Sequence, residues 1–203
     1  MAILAPIAHF GILEGLPQDS LKATLERISA SELAIILASL LLAAVAILDI
    51  VVAKALYTFL RPSRQPLIGL MALLRVVYAI GFLGAIGFLI SLISRINGTD
   101  LVSPLAISDL KGFEVAWDIA LVFFAVHLAL LGWLFYKVKY TPTWLGVLLA
   151  VAGLGYAIDS FAKYAVHGYT FELSTITFIG EAILIFWLLI RGRTLKSSDL
   201  KKR

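Results

Sequence analysis

The sequence predicts an all-α fold, a polytopic bundle of transmembrane helices, and three observations carry that reading. Apolar residues fill 61% of the 203 positions and charged residues only 15%, against roughly 25% charge in soluble domains, with a mean hydropathy of +0.99. The apolar residues come in long blocks rather than on one periodic face. Five of these blocks reach the length of about 20 residues that a hydrocarbon core of about 30 Å requires.

The elements follow in order. The first thirteen residues are apolar, too short to span, and lack the basic start of a secretory signal, so 2–13 reads as the outer half of a further helix. Either the chain begins on this half-span or an upstream start was missed. Leu21, Leu25 and Ile28 then predict a short amphipathic helix on the outer surface, behind Asp19 or Ser20 as N-cap. Full spans are predicted over 32–60, 66–96, 113–138, 142–165 and 171–191. Ser29 and Glu32 have the spacing of a capping box at the first of these. Arg61-Pro62-Ser63-Arg64-Gln65-Pro66 separates the first two spans, and Lys139-Tyr140-Thr141-Pro142 separates the third from the fourth. Asn97-Gly98-Thr99-Asp100 opens the longest internal loop, and Asn97-Gly98-Thr99 also fits a glycosylation sequon. Residues 1–191 thus form a single transmembrane domain, followed by a basic cytoplasmic tail over 192–203.

Charge placement gives an orientation. Entering the first span from outside puts Arg61, Arg64, Lys137, Lys139, Arg191, Arg193, Lys196, Lys201, Lys202 and Arg203 inside. Lys22, Arg27, Arg95, Lys111 and Lys163 are then outside, and this excess predicts a cytoplasmic C-terminus in a plasma membrane. The net charge of +4 and pI near 9.4 do not point to nucleic acid, because the basic residues sit at span ends. The lipid bilayer is the expected partner, and a homo-oligomer is left open. With no Cys, disulfides, thiolate metal sites and Cys nucleophiles are excluded. No motif names a cofactor, which stays unknown; Gly153-Leu154-Gly155 lies in an apolar span without a preceding strand.

Asp49, Arg75, His127 and Glu181 sit deep in four different spans, where ionisable side chains mark a bundle interior or a wet cavity. Counted from the inner ends at 1.5 Å per residue, all four lie about 13 to 17 Å deep, in one midplane layer. Asp49 and Arg75, on consecutive antiparallel helices, suggest an ion pair. His127 and Glu181 then suggest a pair that passes a proton, since an imidazole can donate at one nitrogen and accept at the other. The alternatives are hydrogen-bonded fastening between helices, worth about 1 kcal/mol each, and a metal site, which no ligand spacing supports. A second, outer layer comprises Asp118, Tyr156, Asp159 and Lys163. Within it, Asp159 and Lys163 read as an exposed i, i+4 pair, and Tyr156 as a donor to either carboxylate. Gly81 with Ala85, Gly146 with Ala150 and Gly153 with Ala157 are small-xxx-small pairs that permit close helix approach.

The run WDIALVFFAVHLALLGWLFYKVKYTPTWLGVLLAVAGLGYAIDS from Trp117 to Ser160 resembles the prokaryotic integral membrane family catalogued as domain of unknown function 4386. The dense part comprises Trp117-Asp118, His127-Leu128, Gly132, Tyr136-Lys137, Tyr140, Pro142, Leu145-Gly146, Ala152-Gly153 and Gly155-Tyr156 with Asp159. Ser31-Glu32, Asp49, Leu56-Tyr57, Pro62, Arg75 and Glu181 extend it more thinly. Members carry a complete first span and a Pro-Gly-Asp-like loop; here the loop reads Pro17-Gln18-Asp19 and the span is half present. The resemblance implies a six-helix membrane domain of bacterial or archaeal origin and no particular activity.

Three function classes follow. The first is a membrane protein whose polar layer binds a small ligand, ion or proton. The second is a membrane-embedded enzyme that acts on a lipid-like substrate through Asp118, His127, Asp159 or Glu181. The third is a structural or regulatory membrane subunit. No span reads as interrupted, the feature that often marks a transporter site.

Overall fold

Prolines and left-handed turn residues set the helix boundaries. In the computed structural model, which describes residues 4–17, 20–96 and 104–192, α1 is Leu4–Ala8 and runs on as a π-helical turn over His9–Leu13. α2 is Leu21–Ala30, α3 Glu32–Leu60, α4 Ile68–Ile96, α5 Pro104–Lys137, α6 Thr143–Ala165, α7 Leu173–Thr177 and α8 Ile179–Trp187, the last followed by a π-helical turn over Leu188–Gly192. Every regular element among the described residues is helical. The loop opened by Asn97, the N-cap candidate Asp19 and the tail from Arg193 lie outside the described residues.

α3 gives way to a 3-10 turn over Arg61–Ser63 that contains Pro62, and Arg64, at φ 54°, reverses the chain toward α4. Pro142, in extended conformation, precedes the first residue of α6. Gly168 supplies φ +77° in the connection from α6 to α7, a conformation that glycine adopts without a steric cost.

The capping of α3 and the start of α5 differ from the sequence reading. Ser29 lies within α2 rather than capping α3, and a single non-helical residue, Ser31, separates those helices. Ser20 is the N-cap of α2, its hydroxyl accepting from the Ala23 amide at 3.2 Å. α5 begins at Pro104 instead of Phe113. Pro is well suited to a first helical turn, and the added stretch alternates Leu105, Ala106 and Leu110 with Ser108, Asp109 and Lys111. That pattern is amphipathic, so hydropathy alone reads it as loop. The last span also departs from a continuous helix: Phe178 interrupts it between α7 and α8.

Five helical segments are long and apolar enough to cross a membrane: Glu32–Ser63, Ile68–Ile96, Leu105–Lys137, Thr143–Ala165 and Leu173–Arg191. Their outward faces carry Leu33, Leu40, Ile80, Phe186 and Ile190, each at least 60% exposed. Exposed apolar side chains of this kind would be an aggregation hazard in water and are the expected surface in lipid. The protein is therefore an all-α, multi-pass membrane bundle with a short N-terminal apolar helix.

The chain divides into two units. The first comprises residues 1–49 and 79–118. His9 meets Trp117 edge-on at 4.6 Å, and Phe82 packs on the same indole at 4.5 Å. Near the end of α4, Arg95 Nε donates to Asp109 Oδ2 at 2.6 Å and Ser91 Oγ donates to the same oxygen at 3.0 Å, which ties α4 to the amphipathic start of α5. The second unit comprises residues 50–78 and 119–203, of which the description ends at 192. Here α6 packs on α7 and α8. Its contacts are backbone-close at glycines: a Cβ on Gly153 would lie 2.7 Å from the Ala125 carbonyl oxygen, and one on Gly180 would lie 2.6 Å from that of Leu148. At the α5–α6 turn, the Tyr140 hydroxyl donates to the Phe59 carbonyl at 2.9 Å, and its burial there pushes the phenol above its ordinary pKa.

Candidate functional site

The second unit gathers the polar side chains of four helices. α4 presents Met71, Arg75 and Tyr78, one turn apart; α5 presents Phe124 and His127; α6 presents Tyr156, and α8 presents Glu181 in its first turn. Arg75 and His127 are buried, at 5% and 0% exposure.

Arg75 Nη1 lies 3.1 Å from His127 Nε2, and His127 Nδ1 lies 2.8 Å from the Met71 carbonyl oxygen. A guanidinium has only donors and a carbonyl only accepts. His127 therefore accepts at Nε2 and donates at Nδ1, which makes it a neutral imidazole of one fixed tautomer. Phe124 supports both partners. Its ring lies 5.2 Å from the Arg75 guanidinium carbon, a cation–π contact, and stacks on the imidazole at 5.8 Å. Tyr78 and Tyr156 flank the same ring, at 4.7 Å and 5.4 Å. The Tyr156 phenol lies beside the Glu181 carboxyl, with Arg75 and Tyr78 within electrostatic reach.

These contacts revise the pairing read from the sequence. His127 does not form a proton-passing pair with Glu181, because its two nitrogens serve Arg75 and Met71; Glu181 meets Tyr156 instead. The Arg75 guanidinium donates to His127. Asp49 itself is buried at 2% exposure and belongs to the first unit, as does Asp118, at 5%. Among the described residues, no three His, Cys, Asp or Glu side chains gather in a way that would hold a metal ion.

The proposed outer layer separates in the same way. Tyr156 joins Glu181. Asp159 is buried rather than exposed, and Oδ1 accepts from the Leu173 amide at 3.0 Å and from the Tyr169 hydroxyl, while Oδ2 accepts from the Ser174 amide at 2.7 Å. It acts as a cap for α7 delivered from α6. The bond to Asp159 raises the Tyr169 phenol above its ordinary pKa, so this contact persists into alkaline solution. Lys163 pairs with Glu172 at 3.8 Å, a partly exposed contact worth about 0–1 kcal/mol.

Sequence reasoning missed Phe124, Tyr78 and the Met71 carbonyl. Their signal was present as spacing, since Phe124 precedes His127 by three residues and Met71 and Tyr78 bracket Arg75 by four and three. It also missed Tyr169 and Ser174, for which only the loop geometry carries a signal.

The sequence pattern of the family described as Domain of unknown function (DUF4386) matches residues 1–192. A protein of Archaeoglobus fulgidus described as uncharacterized is 40% identical over 149 residues, which cover 73% of this chain and 80% of that one. No solved structure matches.

Proposed function

The chain belongs to the DUF4386 family, and on that premise we propose that it is a membrane protein with an intramembrane polar site, at which Glu181 takes up a proton, ion or small polar ligand. One observation carries the reading: within apolar spans, a carboxyl facing a phenol stands near an arginine and a histidine that are hydrogen-bonded to each other. Arg75 and His127 form the frame, with both imidazole nitrogens engaged. Glu181 and Tyr156 are the pair that can exchange, since a carboxyl and a phenol each hold or release a proton. Acid/base chemistry at His127 or Asp159 is disfavoured by the hydrogen bonds that occupy them.

Reconstituted in liposomes, the wild-type protein is expected to move protons or small ions, with any retained ligand seen by native mass spectrometry. Glu181→Gln preserves shape and is expected to lower that activity about tenfold or more, equivalent to ~1.4 kcal/mol. Wild-type behaviour of E181Q removes Glu181 from the mechanism. The engagement of both His127 nitrogens favours a second reading, a structural or regulatory subunit. On that reading E181Q changes assembly alone and no transported or bound species is found.

The proposed setting is a prokaryotic plasma membrane with the C-terminus inside. The excess of Lys and Arg at the Arg61, Lys139 and C-terminal end supports it. So does the Lys137 ammonium over the exposed Trp133 and Tyr136 rings, at 5.8 Å and 5.7 Å, an arrangement suited to a headgroup layer. Because the chain has no Cys, the single variants Lys139→Cys and His167→Cys test it directly. An impermeant thiol reagent applied to intact cells should label H167C and spare K139C, and the reverse pattern overturns the orientation.

A further inference from the structure

α6 and the last span face each other along a line of polar residues that continues beyond the site. On α6, Tyr156, Asp159 and Ser160 recur at i, i+3 and i+4; on α7 and α8, Ser174, Thr177 and Glu181 recur at i, i+3 and i+7. Both spacings place the residues on one helix face. Three cross-contacts show that the two faces meet. Asp159 accepts from the Leu173 and Ser174 amides, Thr177 lies against Gly155, where a Cβ would overlap its side chain, and Tyr156 lies beside Glu181.

Two hydroxyls on this line are buried and have no hydrogen-bond partner in the protein: Ser160 Oγ, on a residue 5% exposed, and Thr177 Oγ1. A buried hydroxyl left without a partner is unfavourable, and in native proteins such groups are commonly satisfied by ordered water. Ser160 stands beside the Asp159 cap at the end toward the loop 166–172, and Thr177 lies between that cap and Glu181. From Ser174 to Glu181 the helix rises about 10 Å, three or four hydrogen-bond lengths.

We infer that the face between α6 and the last span is a one-sided water path that carries protons from the loop 166–172 to Glu181. This rests on the reading of Glu181 as the exchanging group. Water bonded to Ser160 and Thr177 passes a proton along: each oxygen accepts one proton on a lone pair and releases another. The net change is one proton taken from bulk water and one Glu181 carboxylate converted to a neutral carboxyl, with no bond to carbon altered. Glu181 is faced by Tyr156 from α6, near which stand Arg75 and Tyr78 of α4, and Arg75 is held by His127 of α5. Asp159, Lys163 and Glu172 stand at the mouth. The ligand class is therefore a proton delivered through water, rather than a solute entering from lipid.

Cys substitution in this Cys-free chain tests the path, because a thiol reacts as thiolate and thiolate needs water. Ser160→Cys and Thr177→Cys sit on the path; Ile158→Cys and Ile179→Cys, at 46% and 56% exposure, sit on apolar outward faces of the same helices. With a charged, impermeant thiol reagent on the side that labels H167C, S160C and T177C should react at least about tenfold faster than the two outward controls. Path positions as slow as the controls overturn the inference, and so does equal reaction at all four. Amide hydrogen exchange on the unsubstituted protein gives a second measurement that no folding defect can confound. Faster exchange at 173–181 than at 143–152 supports the path, and uniform protection overturns it. Labelling at S160C and T177C together with an inert E181Q keeps the path and removes the exchange reading of Glu181, so the two failures are distinguishable.

Discussion

His127→Phe is expected to destabilise the protein by about 2–4 kcal/mol in detergent unfolding, the largest effect among the single polar substitutions. The loss comes less from the missing hydrogen bonds than from what stays behind. Arg75 Nη1 donates to His127 Nε2 in a site where neither residue is more than 5% exposed, so removal of the imidazole leaves a buried donor on a charged group without that acceptor. Phenylalanine fills the ring volume and retains the stacking on Phe124, which isolates the polar part of the effect. Pairing H127F with Arg75→Met closes a double-mutant cycle, with an expected coupling of about 1–3 kcal/mol. A change below about 0.5 kcal/mol for H127F, the range of an ordinary surface substitution, contradicts the bond as described.

The second large effect is steric. Gly132 on α5 and Gly146 on α6 face each other so closely that a Cβ on Gly132 would overlap the Gly146 carbonyl oxygen and lie 2.9 Å from the Ala150 nitrogen. Reciprocally, a Cβ on Gly146 would come 3.1 Å from the Tyr136 nitrogen. The obstacles are backbone atoms, which cannot rotate away. Gly132→Ala is therefore expected to lose about 1–3 kcal/mol, and Gly132→Val more. Gly84→Ala, whose added methyl meets nothing within 4 Å, serves as the matched control and should be neutral or about 1 kcal/mol more stable through helix propensity. Equal unfolding midpoints for G132A and G84A would show that α5 and α6 do not touch along their backbones.

The glycines show what kind of information a sequence holds. Gly146 and Gly153 stand in small-xxx-small pairs, and both prove to be backbone contacts. Gly132, Gly155 and Gly180 make equally close approaches but have no small residue at the i, i+4 spacing, so the small-xxx-small pattern does not distinguish them from tolerated glycines. A contact is a property of two helices, and a pattern on one of them reports only half of it. The same holds for Tyr156 and Asp159. Three residues apart on α6, they point about 60° apart around the helix axis, at 3.6 residues per turn. Both face the last span, but Tyr156 lies beside Glu181 and Asp159 meets the start of α7. The early start of α5 was hidden for another reason. Its added turns are amphipathic, so they carry a helical period without the hydropathy that announces a span.

By itself the sequence determined the all-α membrane class, the five spans and the family, because crossing hydrocarbon demands about 20 apolar residues with every backbone group satisfied inside the helix. It also picked out Asp49, Arg75, His127, Asp118 and Asp159 as side chains within the spans, and all five are at 5% exposure or less. Only the tertiary structure decided which group each of the second unit's polar side chains meets. It assigned Arg75 to His127, Tyr156 to Glu181 and Asp159 to the α7 amides, and with them the tautomer of the buried imidazole. Depth in a membrane is a linear count along one helix, but partnership depends on how far each helix is rotated about its axis. That rotation is set by packing against residues on other helices, which no segment encodes alone.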